Sequence, residues 1–516
     1  MSDEVPDALA SGDASPGMLA RRFAPADGFE NAKLPKGYVR RRRVVVLFSM
    51  IGTMTIYAHR VCMSVAAEIT SQTDRETTMI SEHSWSASEQ GLLLAAFYAG
   101  YVVWQLPAAW FVRILGPGRV FGMGMLWSSV FTLLTPWASD VSFHLAMLCR
   151  VLVGIGQGPE YPAASVLVAI WAPPLERAQM ISNVCSGAYF GTFVTFPLSG
   201  FVLARLGWRM LFYIFGGWGV VYFFVYSWFV RDAPHLDSRV HHIELDFIQA
   251  SQRANTDSTQ NHTDQPMLAV IKRALCSRAV WALIVASVCN NFGFYILVSE
   301  LPTFLDKVLQ LEGGISAAFS TAPYFLMWLV TMGSGVLADQ MVRSGRLKLV
   351  KVRRLCYLIA EMPAAVLLIL VGYSTSTWLT LGCVVLAVGC NGFFNCAFSA
   401  NIIDVGRMHS GVIYALANTA GTFPAIVAEP LFGALTDRYG YLQGFRLSFW
   451  ICFGLYTSGA LTFSFASSGQ PFMKDQCQGR SASVAGSQQS DQDVLHLEGS
   501  MYTDNLRPSA TRPGES

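Results

Sequence analysis

Arg60 and Arg150 each interrupt a long apolar run, and an arginine at the centre of a membrane helix costs at least about 2.5–3.5 kcal/mol. Such a residue faces a cavity or a partner. At about 100° per residue, Tyr57, Arg60, Ser64 and Glu68 fall within roughly 80° of one another, forming a polar stripe on an otherwise apolar helix. Arg60 also lies roughly sixteen residues into its run, too deep to snorkel easily to an interface. Gln157 follows Arg150 by seven residues, which puts the two on nearly one face about 10.5 Å apart along the axis, with Glu160 turned about 80° from Arg150. A guanidinium grips a carboxylate or phosphate through paired N–H donors. Two inward-facing arginines therefore point to a small anion, against the plainer alternative that each makes a structural ion pair. His59, beside Arg60, is either a proton carrier or a packed imidazole. Further on, Asn290, Asn291, Tyr295 and Glu300 offer hydrogen-bonding groups, with Asn291 and Tyr295 sharing a face as substrate contacts or as polar glue between helices. Glu361 and Glu429 are lone acids in apolar runs, each a coupling site or a protonated packing residue.

These residues need a membrane scaffold to position them. Of 516 residues, 53% are hydrophobic and 14% charged, against roughly 45–50% and 25% in soluble domains. The balance of 36 basic and 34 acidic residues argues against a nucleic-acid binder. No GxSxG elbow, HExxH pair or Gly-Lys phosphate loop is present, so neither an enzyme nor a metal site is expected. Gly154, Gly156 and Gly158, like Gly187 and Gly191, read as small residues for close helix packing.

The runs at 44–69, 88–112, 118–139, 142–171, 178–204 and 208–230 make six spans, and those at 277–305, 318–342, 352–373, 378–404, 411–436 and 443–467 make six more. The expected fold is an all-α integral membrane protein with twelve transmembrane helices in two six-helix bundles, 44–230 and 277–467. A disordered tail at 1–43, a polar linker at 231–276 and a second tail at 468–516 complete the layout. The tails, the linker and the even-to-odd loops carry 28 of the 36 Lys and Arg residues, against six on the opposite side. That asymmetry places both termini in the cytosol.

The pattern resembles the major facilitator superfamily, and within it the anion–cation symporter branch of sialin, the vesicular glutamate transporters and the type I sodium–phosphate cotransporters. The stretches that carry the resemblance are WSASEQG (85–91), FYAGYVVWQLP (97–107), RVLVGIGQGPEYPAA (150–164), WAPPLERAQM (171–180), SGAYFGTFVTFPLSG (186–200) and LGWRMLFYIFG (206–216), followed by LADQ (337–340), VRR (352–354), FSANIIDV (398–405) and NTAGTFP (418–424). The resemblance implies that Arg60 and Arg150 contact the substrate anion. It also implies that Asn291, Tyr295, Ser399, Asn401 and Asp404 occupy the branch's polar positions in spans 7 and 10. Three departures accompany it: Gln157 stands where the branch commonly has a proton-coupling Glu, Leu94 and Ile402 stand where the glutamate transporters have His, and Ala108-Ala109 replaces a Gly-Gly pair.

The expected function is alternating-access secondary transport of a small organic or inorganic anion, carboxylate or phosphate, in a plasma or vesicle membrane. A non-transporting anion receptor on the same scaffold is the alternative. The candidate substrate contacts are Arg60, Arg150, Tyr57, Asn291, Tyr295 and Asn401. The coupling candidates are His59, Gln157, Glu160 and Glu300, and His59 is favoured as the neighbour of Arg60. Besides the anion and the lipid bilayer no partner is expected, the protein acting as a monomer without cofactor, with H+ or Na+ as the coupling ion.

Overall fold

The computed structural model describes residues 35, 37–67, 79–83, 85, 87–253, 266–304, 308–309 and 313–472. The two tails beyond these limits, Glu68 of the polar stripe and the side chains of Glu300 and Glu429 lie outside the described residues. Ten helical stretches among the described residues are long and apolar enough to cross a membrane. One of them, Thr377–Tyr439, holds two passes, and the short helices Phe143–Gln157 and Glu160–Trp171 join into one more, giving twelve.

In chain order, span 1 is Arg41–Ala67, span 2 Ala87–Leu115, span 3 Pro117–Val141, span 4 the broken pair just named, span 5 Arg177–Leu206 and span 6 Trp208–Phe229. Span 7 is Arg278–Thr303, span 8 Gly313–Arg343, span 9 Leu349–Tyr373, span 10 the pair Thr377–Cys390 and Phe394–Gly406, span 11 Ser410–Tyr439 and span 12 Tyr441–Ala466. Span 1 packs on 5 and 6, span 4 on 2 and 3, and span 3 on 6; span 7 packs on 11 and 12, span 10 on 8 and 9, and span 9 on 12. Each contact in the first six spans thus has its counterpart six spans later. The halves meet where span 5 packs on spans 8 and 10, and where span 11 packs on spans 2 and 4.

Spans 4 and 10 break at corresponding places. In span 4 the break falls at Gly158-Pro159, since proline supplies no N–H and clashes with the preceding turn. In span 10 a short turn at Asn391–Phe393 intervenes, with Gly392 against the span 8 backbone, where an added Cβ would lie 2.9 Å from the Met327 carbonyl oxygen. Hydropathy is continuous through both breaks, so the sequence reads each as a single run.

The linker between the halves contains helices His242–Arg253 and Met267–Leu275, which its polar composition does not announce. The first is tied to the start of span 1, which begins at Arg41, inside the arginine run assigned to the tail. Arg41 pairs with Asp237 at 2.9 Å, and Arg42 with Glu176 at 2.8 Å and Glu244 at 3.2 Å. Partial burial pushes the Asp237 carboxyl up, but its bonds to Arg239 and Arg41 outweigh that and hold it below the ordinary carboxylate range.

On this linker side the two halves are latched together. Asp339 of span 8 accepts from the backbone N–H groups of Ala178 and Gln179 at 3.3 and 2.8 Å, at the start of span 5. Asp404 of span 10 pairs with Arg177 of span 5 at 3.4 Å and with Arg353 of span 9 at 3.0 Å. A carboxylate at a helix N-terminus meets unpaired N–H groups and the positive end of the helix dipole. This contact fastens span 8 to span 5.

Candidate functional site

Spans 1, 2 and 4 bring the two arginines onto one ring. The Arg60 guanidinium lies over Tyr57 at 4.5 Å, Phe97 at 4.8 Å and Tyr101 at 4.9 Å, and the Arg150 guanidinium lies 5.4 Å from the same Phe97 centroid. Aromatic faces hold a cation electrostatically without using up its N–H donors. Arg150 is buried, and its Nε has no hydrogen-bond partner.

The break in span 4 supplies the rest of the arginine's surroundings. Gln157 ends the first helix, accepts from Arg60 Nε at 2.7 Å and donates to the Ile56 carbonyl at 3.3 Å. Glu160 opens the second helix, with Oε2 3.8 Å from Arg60 Nη2. Glu160 therefore faces Arg60 of span 1 and not Arg150 of its own span.

Glycines set this geometry. A Cβ on Gly154 would stand 2.1 Å from the Phe97 carbonyl oxygen, and one on Gly100 2.1 Å from that of Val151. Spans 2 and 4 therefore touch backbone to backbone at the level of Phe97 and Arg150. Gly187 does the same for span 5 against span 1, where a Cβ would lie 2.0 Å from the Met50 carbonyl oxygen. The close packing expected of Gly154 and Gly187 is what the structure shows.

The second half covers the arginines with aromatic and amide groups. Tyr414 of span 11 stacks on Tyr161 at 5.5 Å, and the Tyr161 hydroxyl lies 2.9 Å from that of Tyr57. Asn418 donates to the Tyr101 hydroxyl at 2.8 Å, Thr419 to Gln105 at 2.9 Å, and Asn395 of span 10 to the Tyr189 hydroxyl at 2.9 Å. Tyr295 of span 7 meets Tyr98 edge-to-face at 6.1 Å.

Of the candidate residues, the structure places Arg60 and Arg150 on Phe97, sets Tyr57, Gln157 and Glu160 against Arg60, and puts Tyr295 against Tyr98 across the boundary between halves. Others lie elsewhere. His59 Nε2 lies 3.1 Å from the Phe215 carbonyl oxygen and its ring abuts Gly219, so it packs against span 6, whereas Gln157 and Glu160 belong to span 4. Asn291 donates to the Gly421 carbonyl at 2.8 Å, tying span 7 to span 11. Asn401 donates to the Ser468 carbonyl at 2.8 Å, just beyond the linker-side end of span 12. Phe97, Tyr101, Tyr161, Tyr414 and Asn418 are the residues sequence reasoning missed. Phe97, Tyr101 and Gln105 recur every four residues on one face, a signal that aromatic residues in an apolar run obscure.

Comparison with known proteins follows the same lines. The family profile of the Major Facilitator Superfamily matches residues 49–428. Human sialin is 29% identical over 448 residues, covering 83% of this chain and 89% of sialin. The vesicular glutamate transporter 3 of Danio rerio is 26% identical over 447 residues, covering 85% of this chain and 74% of that protein. The proton:xylose symporter XylE shares the fold with a TM-score of 0.66 at 13% identity, covering 83% of this chain and 97% of its own. A profile spanning most of the membrane core meets here twelve passes whose contacts repeat six by six, and the chain belongs to the Major Facilitator Superfamily.

Proposed function

We propose that this protein carries a small anion, a carboxylate or a phosphate, across a plasma or vesicle membrane by alternating access, driven by an ion gradient or the membrane potential. The family makes it a transporter rather than an enzyme, and relatives named as glutamate transporters agree with an anionic cargo. The observation that carries the proposal is the pair of arginines on Phe97, held by ring faces with donors left over for a ligand. Arginine donors buried without partners are costly unless something else pairs with them. An anion seated between spans 1, 2 and 4 would meet that need while the second half, through Tyr295, Tyr414 and Asn418, closes over it.

The test is uptake into proteoliposomes of labelled phosphate, L-glutamate, sialic acid and gluconate, with and without imposed proton and sodium gradients. At least one anion should accumulate above protein-free vesicles. Uptake of none would sink the proposal.

Both termini and the linker are assigned to the cytosol on the basic-residue asymmetry. Protease added to sealed right-side-out cells should leave the linker near His241 intact, and cleavage there would reverse the orientation.

A further inference from the structure

Glu160 has a carboxylate buried in the protein with no hydrogen-bond donor to either oxygen. Opposite it, Arg60 Nη2 is likewise buried without an acceptor, 3.8 Å away and just beyond hydrogen-bond contact. The other edge of that guanidinium, Nε, is committed to Gln157. Among the described residues, Glu160 interacts electrostatically with Arg60 and Tyr57 of span 1, Tyr101 of span 2, Tyr161 beside it and Cys185 of span 5. Arg60 is the one cation among them, and phenols and thiols are neutral at physiological pH.

We propose that Glu160 is a proton-binding site whose protonation is linked to occupancy of Arg60 by the transported anion. The proposal rests on the anion-transport reading above. An anion bonded to Arg60 Nη2 would stand within about 7 Å of Glu160, given a charge-assisted bond of about 2.8 Å. Ionised, Glu160 repels that anion and competes with it for the guanidinium. Protonated, it does neither, and its O–H becomes a donor that the anion's remaining oxygens can accept. By linkage, the proton raises affinity for the anion by the same factor that the anion raises affinity for the proton. Gln157 does not titrate, so it holds Arg60 in place in both states. The proton comes from solvent, binds a Glu160 oxygen, and leaves when the anion does. A carrier cycle then moves one proton with each anion.

Purified full-length protein in weakly buffered detergent would be offered phosphate, L-glutamate, sialic acid and gluconate in turn, reading anion binding and, with a pH dye, proton uptake. The wild type should take up about one proton per anion bound, and its affinity should fall by up to about tenfold per pH unit on the alkaline side. Glu160→Gln should bind the same anion with no proton uptake and a flat pH profile, and Glu160→Asp should keep the uptake with a displaced midpoint. Binding by the wild type without proton uptake, or a pH profile unchanged in Glu160→Gln, would overturn the proposal while leaving the anion site standing. Binding of none of the four anions would remove the anion site, and this proposal with it.

Discussion

Replacing either Arg60 or Arg150 by lysine is expected to reduce anion uptake by more than about tenfold while leaving a folded protein in the membrane. Lysine keeps the charge but is a point donor without the planar fork. At Arg60 the change removes Nε, and with it the 2.7 Å bond that Nε donates to Gln157 and that sets the plane of the group, as well as the flat contact with Tyr57, Phe97 and Tyr101. Hydrogen bonds to charged groups are worth about 1.5–3 kcal/mol each, so losing one reaches tenfold at about 1.4 kcal/mol. At Arg150 the ammonium keeps attraction to Phe97 but cannot present two parallel donors. Initial uptake rates at equal reconstituted protein, beside a thermal melt of each variant, are the measurement. Wild-type rates in both variants would show that neither guanidinium touches the cargo.

A methyl group at Gly154 should damage the protein more broadly. Its Cβ would stand 2.1 Å from the Phe97 carbonyl oxygen, so spans 2 and 4 must separate by about an ångström or more to restore van der Waals contact. Overpacking of this kind costs about 1–3 kcal/mol. Here it also moves Phe97, the ring both arginines share, so transport should fall even in molecules that fold. Gly154→Ala is expected to lower the melting temperature by several degrees and to cut uptake by about tenfold or more. Gly200→Ala serves as the control, because an added Cβ there meets nothing within 4 Å. Equal stability and uptake in the two variants would contradict the backbone contact.

The sequence exposes the spans because each is a long apolar run, and it exposes Arg60, Arg150, Gln157 and Glu160 because polar groups in such runs are conspicuous. It does not expose what those groups face. The Gly158-Pro159 break that brings Glu160 towards Arg60 interrupts no hydropathy signal. The ring cluster of Phe97, Tyr101, Tyr161 and Tyr414 is spread over spans 2, 4 and 11, so only folding assembles it. Adjacency in sequence also misleads on a helix. His59 neighbours Arg60 in the chain but is rotated about 100° from it, onto the side facing span 6. Several quoted motifs belong to the linker-side latch and not to the arginine cluster: LADQ supplies Asp339, VRR supplies Arg353 and FSANIIDV supplies Asp404.

Counterflow tests the central claim, that the arginine pair carries an anion from one side to the other. Proteoliposomes are loaded with a high concentration of the unlabelled anion that gave the greatest uptake, then diluted into a trace of the same anion labelled, with no proton or sodium gradient imposed. The wild type should accumulate label transiently above its outside concentration, since an alternating-access carrier exchanges inside for outside, and Arg60→Gln should not. Tight binding of the anion by the wild type with no transient accumulation of label would contradict the account, and would make the protein a receptor on a transporter's scaffold.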